Sequence, residues 1–402
     1  MEEEDNSIHF KKRNKDLLTI LSKCIENKIP FYIYRKSKDN TFFCGMQISS
    51  PKCIIKDSEL LVNSGFVIAP FNTNNMPYSE DDFSLEYAPL LLIKDEKSFT
   101  SKDINSFDYK FLDKINFSKT KLSHIKNNSP KETIKTTYEK DEYTKMIQDV
   151  VNEIRSSDLY KIVLSKSVLI PKNGKNDIEV FISLLNSYPN EFVFWAYIPN
   201  ITSWMGASPE TLLPKQGNIF KTMALAGTQK FNPQKEYDDN LIKVWNKKEI
   251  VEQNIVSQYI KSILNKSTKN LVVESIPHSK RAGNLMHICT NFHFKDKLSN
   301  KYIYKLLQDL HPTPAVCGFP KEKAKEYILK TEKHSRLYYS GFLGPIYNDA
   351  SFDFFVNLRS MQIFDSYFLL FVGGGITRDS IPENEWNETE AKLQTLMEII
   401  SQ

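Results

Sequence analysis

The 402-residue sequence has few glycines, few cysteines and no long apolar run. The five cysteines are odd in number and include no CxxC pair: Cys24, Cys44, Cys53, Cys289 and Cys317. This pattern excludes a disulfide framework and a cysteine zinc site, so we expect reduced thiols in a cytoplasmic protein. The longest apolar runs, such as 367–372, are of strand length and far too short to cross a membrane, so no membrane partner is expected.

The sequence also lacks a strong net charge. Its 53 basic and 49 acidic residues leave a formal charge of +4, and the lysines are dispersed, so nucleic acid is not an expected partner. The opening residues Met-Glu-Glu-Glu-Asp contain no basic region, which predicts that there is no secretory signal. A content of 41% hydrophobic and 25% charged residues is typical of a soluble globular protein.

The pattern of apolar residues predicts an α+β fold. Leu17, Leu18 and Leu21 have helical spacing, and a second amphipathic helix is predicted over 143–154. A long helix is predicted over 241–264, with Trp245, Ile255, Tyr259 and Ile263 on its apolar side, and a last helix over 383–400. Strands are predicted at 31–34, 41–44, 87–93, 161–170, 192–198, 220–225, 336–346, 352–363 and 367–372. Residues 96–140 are rich in Lys, Ser, Asn and Asp, which predicts loops.

The strands follow one another in hairpin-like series, without regular alternation of strand and helix. That order favours large antiparallel β-sheets flanked by helices over a parallel α/β sheet.

Two pairs of carboxylates lie at helical spacing. Glu385, Glu388 and Lys392 follow a glycine triplet at offsets that place them on one helix face, and Glu249 and Glu252 form a similar pair upstream. Two such pairs on two helices can bind a hard divalent cation such as Mg²⁺ through oxygen ligands. The alternative for each pair is an ordinary solvated helix face.

The triplet Gly373, Gly374 and Gly375 ends an apolar run. It would let backbone N–H groups approach an anion closely, or it forms a tight turn from strand to loop. Lys161 and Arg359 are lone cations in apolar runs. A desolvated lysine can act as a base and an arginine can bind a carboxylate in a bidentate manner, but both residues could also face solvent at a sheet edge.

Glu210 follows a proline in the turn Ala207-Ser208-Pro209. Burial would raise the pKa of its carboxyl group and make it a general acid. The alternative is an ordinary turn residue or the first residue of a helix.

Eight segments, taken in order, resemble the chorismate-utilising enzymes, a family that includes isochorismate, salicylate, anthranilate and aminodeoxychorismate synthases. The resemblance covers roughly 140–400, and residues 1–135 carry no recognisable motif. The segments are KIVLSKS (161–167), GASPETLL (206–213), ALAGTQ (224–229), KEIVEQ (248–253), LHPTPAVCGFP (310–320), RLYYSGFLG (336–344), NLRS (357–360) and GGGITRDSIPENEWNETEAK (373–392).

The resemblance implies one unit over 1–402, built on large antiparallel sheets with the site in a deep cleft. Residues 140–400 would be the catalytic core, and the divergent residues 1–135 would complete the sheets. A few positions depart from the family pattern: Gln253 replaces a common His, Gly374 a common Ala, and Lys166 a common Arg.

Three positions bear on which reaction is implied. Ala315 stands where relatives that eliminate pyruvate usually have Thr, and Ala226 stands where a covalent lysine nucleophile lies in aminodeoxychorismate synthases. Lys161 occupies the position of a base that activates water. The resemblance therefore implies Mg²⁺-dependent conversion of chorismate to isochorismate. Salicylate synthase is the alternative, anthranilate and aminodeoxychorismate synthases fit these positions less well, and a binding protein without turnover would have lost the catalytic residues.

The resemblance also implies roles for individual residues. Lys161 would be the base and Glu210 the acid, and Mg²⁺ would be bound by Glu252 and Glu388, with Glu249 and Glu385 binding directly or through water. Chorismate would be bound by Arg359, Tyr339, Lys392, Gly373, Gly374, Gly375, Ala315, Thr228 and His287. We expect a monomer without an amidotransferase subunit. Since no siderophore-assembly module is attached, menaquinone biosynthesis is the expected pathway, with catechol siderophore synthesis as the alternative.

Overall fold

The computed structural model describes residues 15–73, 88–115, 117, 135–234 and 245–401. Its helices are α1 (15–26), α2 (Lys140–Ser156), α3 (Asp177–Ser187), α4 (Lys247–Ser267), α5 (Asn300–Leu310), α6 (Lys321–Thr331) and α7 (Pro382–Ser401). Short 3₁₀ helices span Asp57–Glu59 and Lys110–Lys114.

The strands fall into a first half that precedes α4 and a second half that follows it. The first half contains β1 (Phe31–Arg35), β2 (Phe42–Met46), β3 (Gly65–Ala69), β4 (Leu91–Lys94), β5 (Lys97–Thr100), β6 (Lys135–Thr136), β7 (Lys161–Pro171), β8 (Phe192–Ile198), β9 (Thr202–Ser208), β10 (Thr211–Gln216) and β11 (Ile219–Lys230). The second half contains β12 (Val273–Glu274), β13 (His278–Ala282), β14 (Leu285–Lys295), β15 (Gly318–Phe319), β16 (Phe342–Ile346), β17 (Phe352–Val356), β18 (Ser360–Ile363) and β19 (Tyr367–Thr377).

The described strands form two sheets in which neighbouring strands run antiparallel. Sheet 1 has the order β15-β7-β19-β18-β9-β8-β1-β2-β5, with β6 also paired to β7. Sheet 2 has the order β12-β14-β11-β10-β17-β16-β3-β4, with β13 also paired to β14. Helices pack on both sheets, so the predicted α+β architecture of large antiparallel sheets is confirmed.

The two sheets pack face to face, and helices cover their outer faces. The core between the sheets is aromatic, and the rings of Phe192 in sheet 1 and Phe355 in sheet 2 stack with centroids 3.8 Å apart. On the outer face of sheet 1 the buried residues come from α1, α3 and α7, such as Leu21, Phe181 and Leu396. On the outer face of sheet 2 they come from α4 and α5. Each sheet is therefore apolar on both faces, which explains the nearly continuous apolar runs in strands such as β8.

Helix α2 illustrates how the sequence directs the local structure. Tyr143, Ile147, Val150 and Ile154 recur at helical spacing and are all buried, as predicted. Acidic residues lie in the first turn and Arg155 in the last, which suits the helix dipole.

Two predicted strands are interrupted by turns in the structure. The run 336–346 is a strand only over Phe342–Ile346, because the backbone turns through positive φ at Leu337 and Ser340. The run 352–363 is two strands, broken at Arg359 where φ is +48°. The apolar content of these runs reflects burial of the turns themselves, which periodicity cannot distinguish from a strand.

Residues 96–140 contain more regular structure than the composition predicts. Strand β5 pairs with β2, and a 3₁₀ helix covers Lys110–Lys114. The long helix begins at Lys247, so Trp245 precedes it and instead donates from Nε1 to Ser279 Oγ at 3.0 Å. Positions 241–244 lie outside the described residues.

The buried side of α4 is also rotated by one residue from the prediction. It carries Val256, Ile260 and Leu264, whereas the predicted positions are only half-buried.

Candidate active site

A cavity with about 750 Å³ of free space, part of it open to solvent, lies where β11 and β19 meet α4 and α7. Its walls combine apolar side chains with a small number of charged groups, as expected of a site for a small polar ligand. Ten of the predicted site residues line it: Glu210, Thr228, Glu252, His287, Ala315, Tyr339, Arg359, Gly373, Gly375 and Lys392. Lys161, Glu249, Gly374, Glu385 and Glu388 are not in its wall, and each is described below.

Glu210 contributes a buried carboxyl group to the cavity. It follows β9 in a turn that is held by Ser208, whose Oγ donates to the Val356 carbonyl at 2.6 Å and accepts from Glu210 N at 3.3 Å. Burial raises the pKa of Glu210 to about 8, although the positive charges of Lys161 and Lys280 oppose that shift. The group is therefore mostly protonated at neutral pH and can donate a proton.

Lys161 is fully buried at the first position of β7, and its Nζ lies 2.9 Å from Glu252 Oε1. Burial acts to raise the pKa of Glu252, but the ammonium groups of Lys161 and Lys248 lower it below its ordinary value. This ion pair requires the glycine at 375, because a Cβ there would lie 2.3 Å from Glu252 Oε1 and 2.9 Å from Lys161 Cε. Lys161 thus lies behind the cavity wall, in contact with the wall residue Glu252 and next to Gly375.

The second carboxylate pair meets the first because α4 and α7 approach the same part of β11 and β19. Strand β11 bulges between Ala226 and Thr228, with φ of +71° at Gly227. A Cβ on Gly227 would lie only 3.0 Å from Glu249 Cβ, so the glycine lets α4 pack closely on the strand. The first two turns of α4, which carry Glu249 and Glu252, are thereby placed beside the cavity.

Three of the four carboxylates in these two pairs form ion pairs with lysines. Glu252 pairs with Lys161, Glu388 accepts from Lys392 Nζ at 2.8 Å, and Glu385 lies 2.8 Å from Lys248 Nζ. The Gly374 position faces this cluster rather than the cavity, since a Cβ there would lie 3.5 Å from Glu385 Oε2. Gly374 differs in this respect from Gly373 and Gly375, because successive residues of a strand point to opposite faces.

The donor set fits a hard divalent cation. Glu249 Oε2 and Glu385 Oε2 are buried and accept no hydrogen bond from the described residues. Burial raises the pKa of Glu385 to about 7, against the attraction of Lys248 and with added repulsion from Glu388. Within the described ranges no three acidic, histidine or cysteine side chains already converge on one point, since the lysines pair with the carboxylates instead. Carboxylates that lack a hydrogen bond and repel one another are the ligands that Mg²⁺ would satisfy.

Arg359 is oriented by His287. The His287 Nδ1–H donates to the Gly227 carbonyl at 3.0 Å, with Thr228 Oγ1 at 3.3 Å, so Nε2 is free to accept from Arg359 Nη2 at 2.8 Å. Burial, together with the charges of Arg359 and Lys392, lowers the pKa of His287 well below its ordinary value and keeps the ring neutral. Arg359 Nη1 is buried without a partner among the described residues, which leaves a donor available to an anionic ligand.

Tyr339 and Lys392 complete the polar wall. The Tyr339 ring stacks on Phe371 with centroids 5.3 Å apart, and its hydroxyl lies over Gly373, 3.3 Å from the position of a Cβ there. Burial raises the pKa of Tyr339 to about 12, so the hydroxyl remains a donor. Lys392 Nζ donates to the Gly373 carbonyl at 2.8 Å.

The glycine triplet differs from its predicted setting at a strand end. It lies inside β19, which continues to Thr377 and pairs with β7 throughout. Strand β18 pairs only with residues 368–370 of β19, so it does not cover the triplet. Gln253, where relatives commonly have His, donates to Ser257 Oγ and Thr290 Oγ1 at 2.9 and 2.8 Å and does not contact the carboxylates.

Two site residues were missed in the sequence. Lys248 lies among the carboxylates, and its position four residues before Glu252 is the spacing of a helical ion pair, which could have revealed it. Lys280 donates to the Pro209 carbonyl at 2.9 Å beside Glu210, and no local pattern indicates it because the contact joins distant strands. In the part of the chain that the structure describes, no helix has the length and apolar character needed to cross a membrane.

Comparison with known proteins gives consistent results. The profile of the family described as "Chorismate binding enzyme" matches residues 86–401. The chain is 28% identical over 260 residues to the vibriobactin-specific isochorismate synthase of Vibrio cholerae, covering 64% of this chain and 66% of that protein. It is 31% identical over 262 residues to an isochorismate synthase of Bacillus subtilis, covering 64% of this chain and 55% of that protein. The chain thus spans less than two thirds of the length of these relatives.

A solved structure has the same fold. The menaquinone-specific isochorismate synthase of Escherichia coli superposes with a TM-score of 0.69 at 20% identity, covering 93% of this chain and 89% of that one. The family profile covers well over half of the sequence and includes the residues that form the cavity and the carboxylate cluster. The chain belongs to the chorismate binding enzyme family.

Proposed function

We propose that this protein is an isochorismate synthase, which converts chorismate to isochorismate with Mg²⁺. The observation that carries the proposal is a buried, protonated Glu210 in the wall of the cavity, together with a fully buried Lys161 that contacts the cavity residue Glu252. Adding water to the ring and expelling a hydroxyl group requires a base and an acid, and these two groups meet that need. The names of the similar proteins include a vibriobactin-specific and a menaquinone-specific enzyme, so the likeness supports the reaction rather than one pathway.

Substrate binding would use the polar wall of the cavity. Arg359 Nη1, which lacks a partner among the described residues, would bind the pyruvyl carboxylate together with the Tyr339 hydroxyl and Lys392. His287 would hold the guanidinium plane in place for that contact. The backbone of the glycine triplet would approach the same carboxylate, since two of its three glycines line the cavity.

The chemical step would transfer two protons. Lys161, in its neutral amine form, would take a proton from the water molecule that attacks C2, and Glu210 would give one to the hydroxyl group that leaves C4 as water. One water is consumed and one is released, so the reaction is an isomerisation. When bound by Glu252 and Glu388, with Glu249 and Glu385 direct or through water, Mg²⁺ would supply positive charge for the ring carboxylate.

The small residues Ala226 and Ala315 favour this reaction over its relatives. Both lie in the cavity wall, where Ala226 offers no amine for a covalent adduct and Ala315 offers no hydroxyl group beside the ring. Salicylate synthase would require a further elimination of pyruvate from the same pocket.

Analysis of the products formed from chorismate and Mg²⁺ tests the proposal. We expect isochorismate alone, and the appearance of salicylate with pyruvate, or of no product, would contradict it. Lys161→Ala should lower kcat by roughly 100-fold or more while chorismate still binds. The matched control is Lys172→Ala, which removes a lysine next to the other end of β7 that pairs with Asp177 and should retain wild-type kcat. Full turnover by the Lys161 variant would exclude its role as the base.

A further inference from the structure

Lys248 lies within the carboxylate cluster and bridges the two helices. Its Nζ is 2.8 Å from Glu385 Oε1 on α7 and 3.9 Å from Glu252 Oε2 on its own helix. The side chain is only 17% exposed, so the ammonium group is largely removed from water. It therefore provides positive charge at the place where two ligand-bearing helices meet.

The carboxylates of Glu252, Glu385 and Glu388 surround Lys248 and favour the charged form of its amino group. Burial acts to lower the pKa of Lys248, but the attraction of Glu252, Glu388 and Glu385 raises it well above its ordinary value. Lys161 and Lys392 also contact the cluster, but both are directed toward the cavity residues Gly375 and Gly373.

A second cleft leads to Lys248 from the outside. It is lined by Lys248, Glu249, Glu385 and Glu388 together with polar residues of α7, and it shares Thr228 with the inner cavity. The carboxylate cluster therefore separates the inner cavity from this outer cleft. A cation entering through the outer cleft would meet Lys248 and its partner Glu385.

We propose that Lys248 is a tethered counter-cation that holds α4 and α7 together before metal binds and competes with the divalent cation for Glu385 and Glu252. The inference rests on the metal site of the proposed function and adds a determinant of its affinity. Because the ammonium group and the metal would bind the same carboxylate groups, each weakens the binding of the other by the same factor. Lys248 thus sets the metal concentration at which the site fills and keeps the cluster neutralised below it.

The test is a calorimetric titration of MgCl₂ into substrate-free protein. Lys248→Met keeps the length of the side chain and removes the charge, so the Kd for Mg²⁺ should fall by roughly fivefold or more, within the usual range of coupling between sites. The same variant should melt at a lower temperature without metal and gain more in Tm on addition of Mg²⁺. Lys248→Arg, which retains the charge, is the matched control and should resemble the wild type in metal affinity.

An unchanged or larger Kd in a folded Lys248→Met variant would overturn the inference. If that variant does not fold, the wild type decides the matter through the labelling rate of Lys248 with an amine-reactive ester, followed by mass spectrometry. Displacement by Mg²⁺ should speed the labelling, and equal or slower labelling would refute competition. Product analysis of the wild type separates the two proposals: isochorismate formed by a protein whose Lys248 does not respond to Mg²⁺ contradicts only this inference.

Discussion

At the scale of single residues, the site depends on pairs in which one side chain fixes the state of another. His287 illustrates this, since its contact with the Gly227 carbonyl determines which ring nitrogen remains to accept from Arg359. Glu210 and Lys161 illustrate the electrostatic version, because the lysine moderates a pKa that burial raises. Sequence patterns predicted roles for Lys161, Glu210 and Arg359, and the family resemblance implied one for His287, but neither indicated these relations, which join residues far apart along the chain.

The protonation of Glu210 predicts how the reaction depends on pH. In the proposed reaction Glu210 must carry its proton, so kcat/KM should fall as the pH rises through about 8, the raised pKa of this group in the ligand-free protein. Glu210→Gln should lower kcat by roughly 100-fold or more and abolish this alkaline decline, because an amide does not titrate. Steady-state kinetics between pH 6 and 10 would check it, with circular dichroism confirming the fold. A variant that retained the same alkaline limb would assign that limb to another group.

At the scale of elements, successive glycines of the triplet face opposite sides of strand β19. Gly375 faces the Lys161–Glu252 ion pair and Gly374 faces α7, so adjacent glycines have different neighbours. The sequence indicated the importance of the triplet but placed it at a strand end, and so it could not distinguish the three positions.

Substitution of these two glycines provides a matched comparison. Gly375→Ala would place a Cβ 2.3 Å from Glu252 Oε1 and should separate Glu252 from Lys161, lowering kcat/KM by roughly tenfold or more. Gly374→Ala places its Cβ 3.5 Å from the nearest atom, an ordinary contact, and should retain near-wild-type activity. Kinetics and Mg²⁺ titrations of both variants would show the difference. Equal loss in the two variants would mean that the steric argument is wrong.

The elements differ in how far the sequence could predict them. Helix α2 and strands β7 and β8 follow from regular periodicity or from continuous apolar runs. The turns at Leu337, Ser340 and Arg359 were missed because non-glycine residues there adopt positive φ. The turn at Ser340 is held against the loop that contains Asn357, because the Ser340 backbone N–H donates to the Asn357 carbonyl at 2.9 Å. Such contacts between distant segments leave no local pattern.

At the scale of the whole molecule, the site places acidic groups where water is excluded, and the stability of the fold should reflect this. Glu210 and Glu385 have folded pKa values of about 8 and about 7, above the usual 4.5. The folded state therefore holds protons that the unfolded state releases, and stability is lost as the pH rises from about 4.5 to 8.

Urea unfolding of the metal-free protein at pH 6 and pH 9 would measure this effect. The free energy of unfolding should be lower at pH 9, by roughly 1.4 kcal/mol for each unit of pKa difference titrated. Glu210→Gln should reduce the difference between the two pH values, because the amide removes its share. A difference of the same size in that variant would show that Glu210 does not contribute.

The order of the strands also bears on how the molecule folds. Strands β7 and β19 are partners throughout, yet they are separated by roughly 200 residues of chain, and α4 lies between them. Closing so large a loop carries an entropic cost before any of the contacts can compensate for it, which makes the pairing slow. The cavity is lined by residues of β7 and β19 and by residues of the intervening chain, such as Glu210 and Glu252. Its wall is therefore complete only after the two ends of this loop have met.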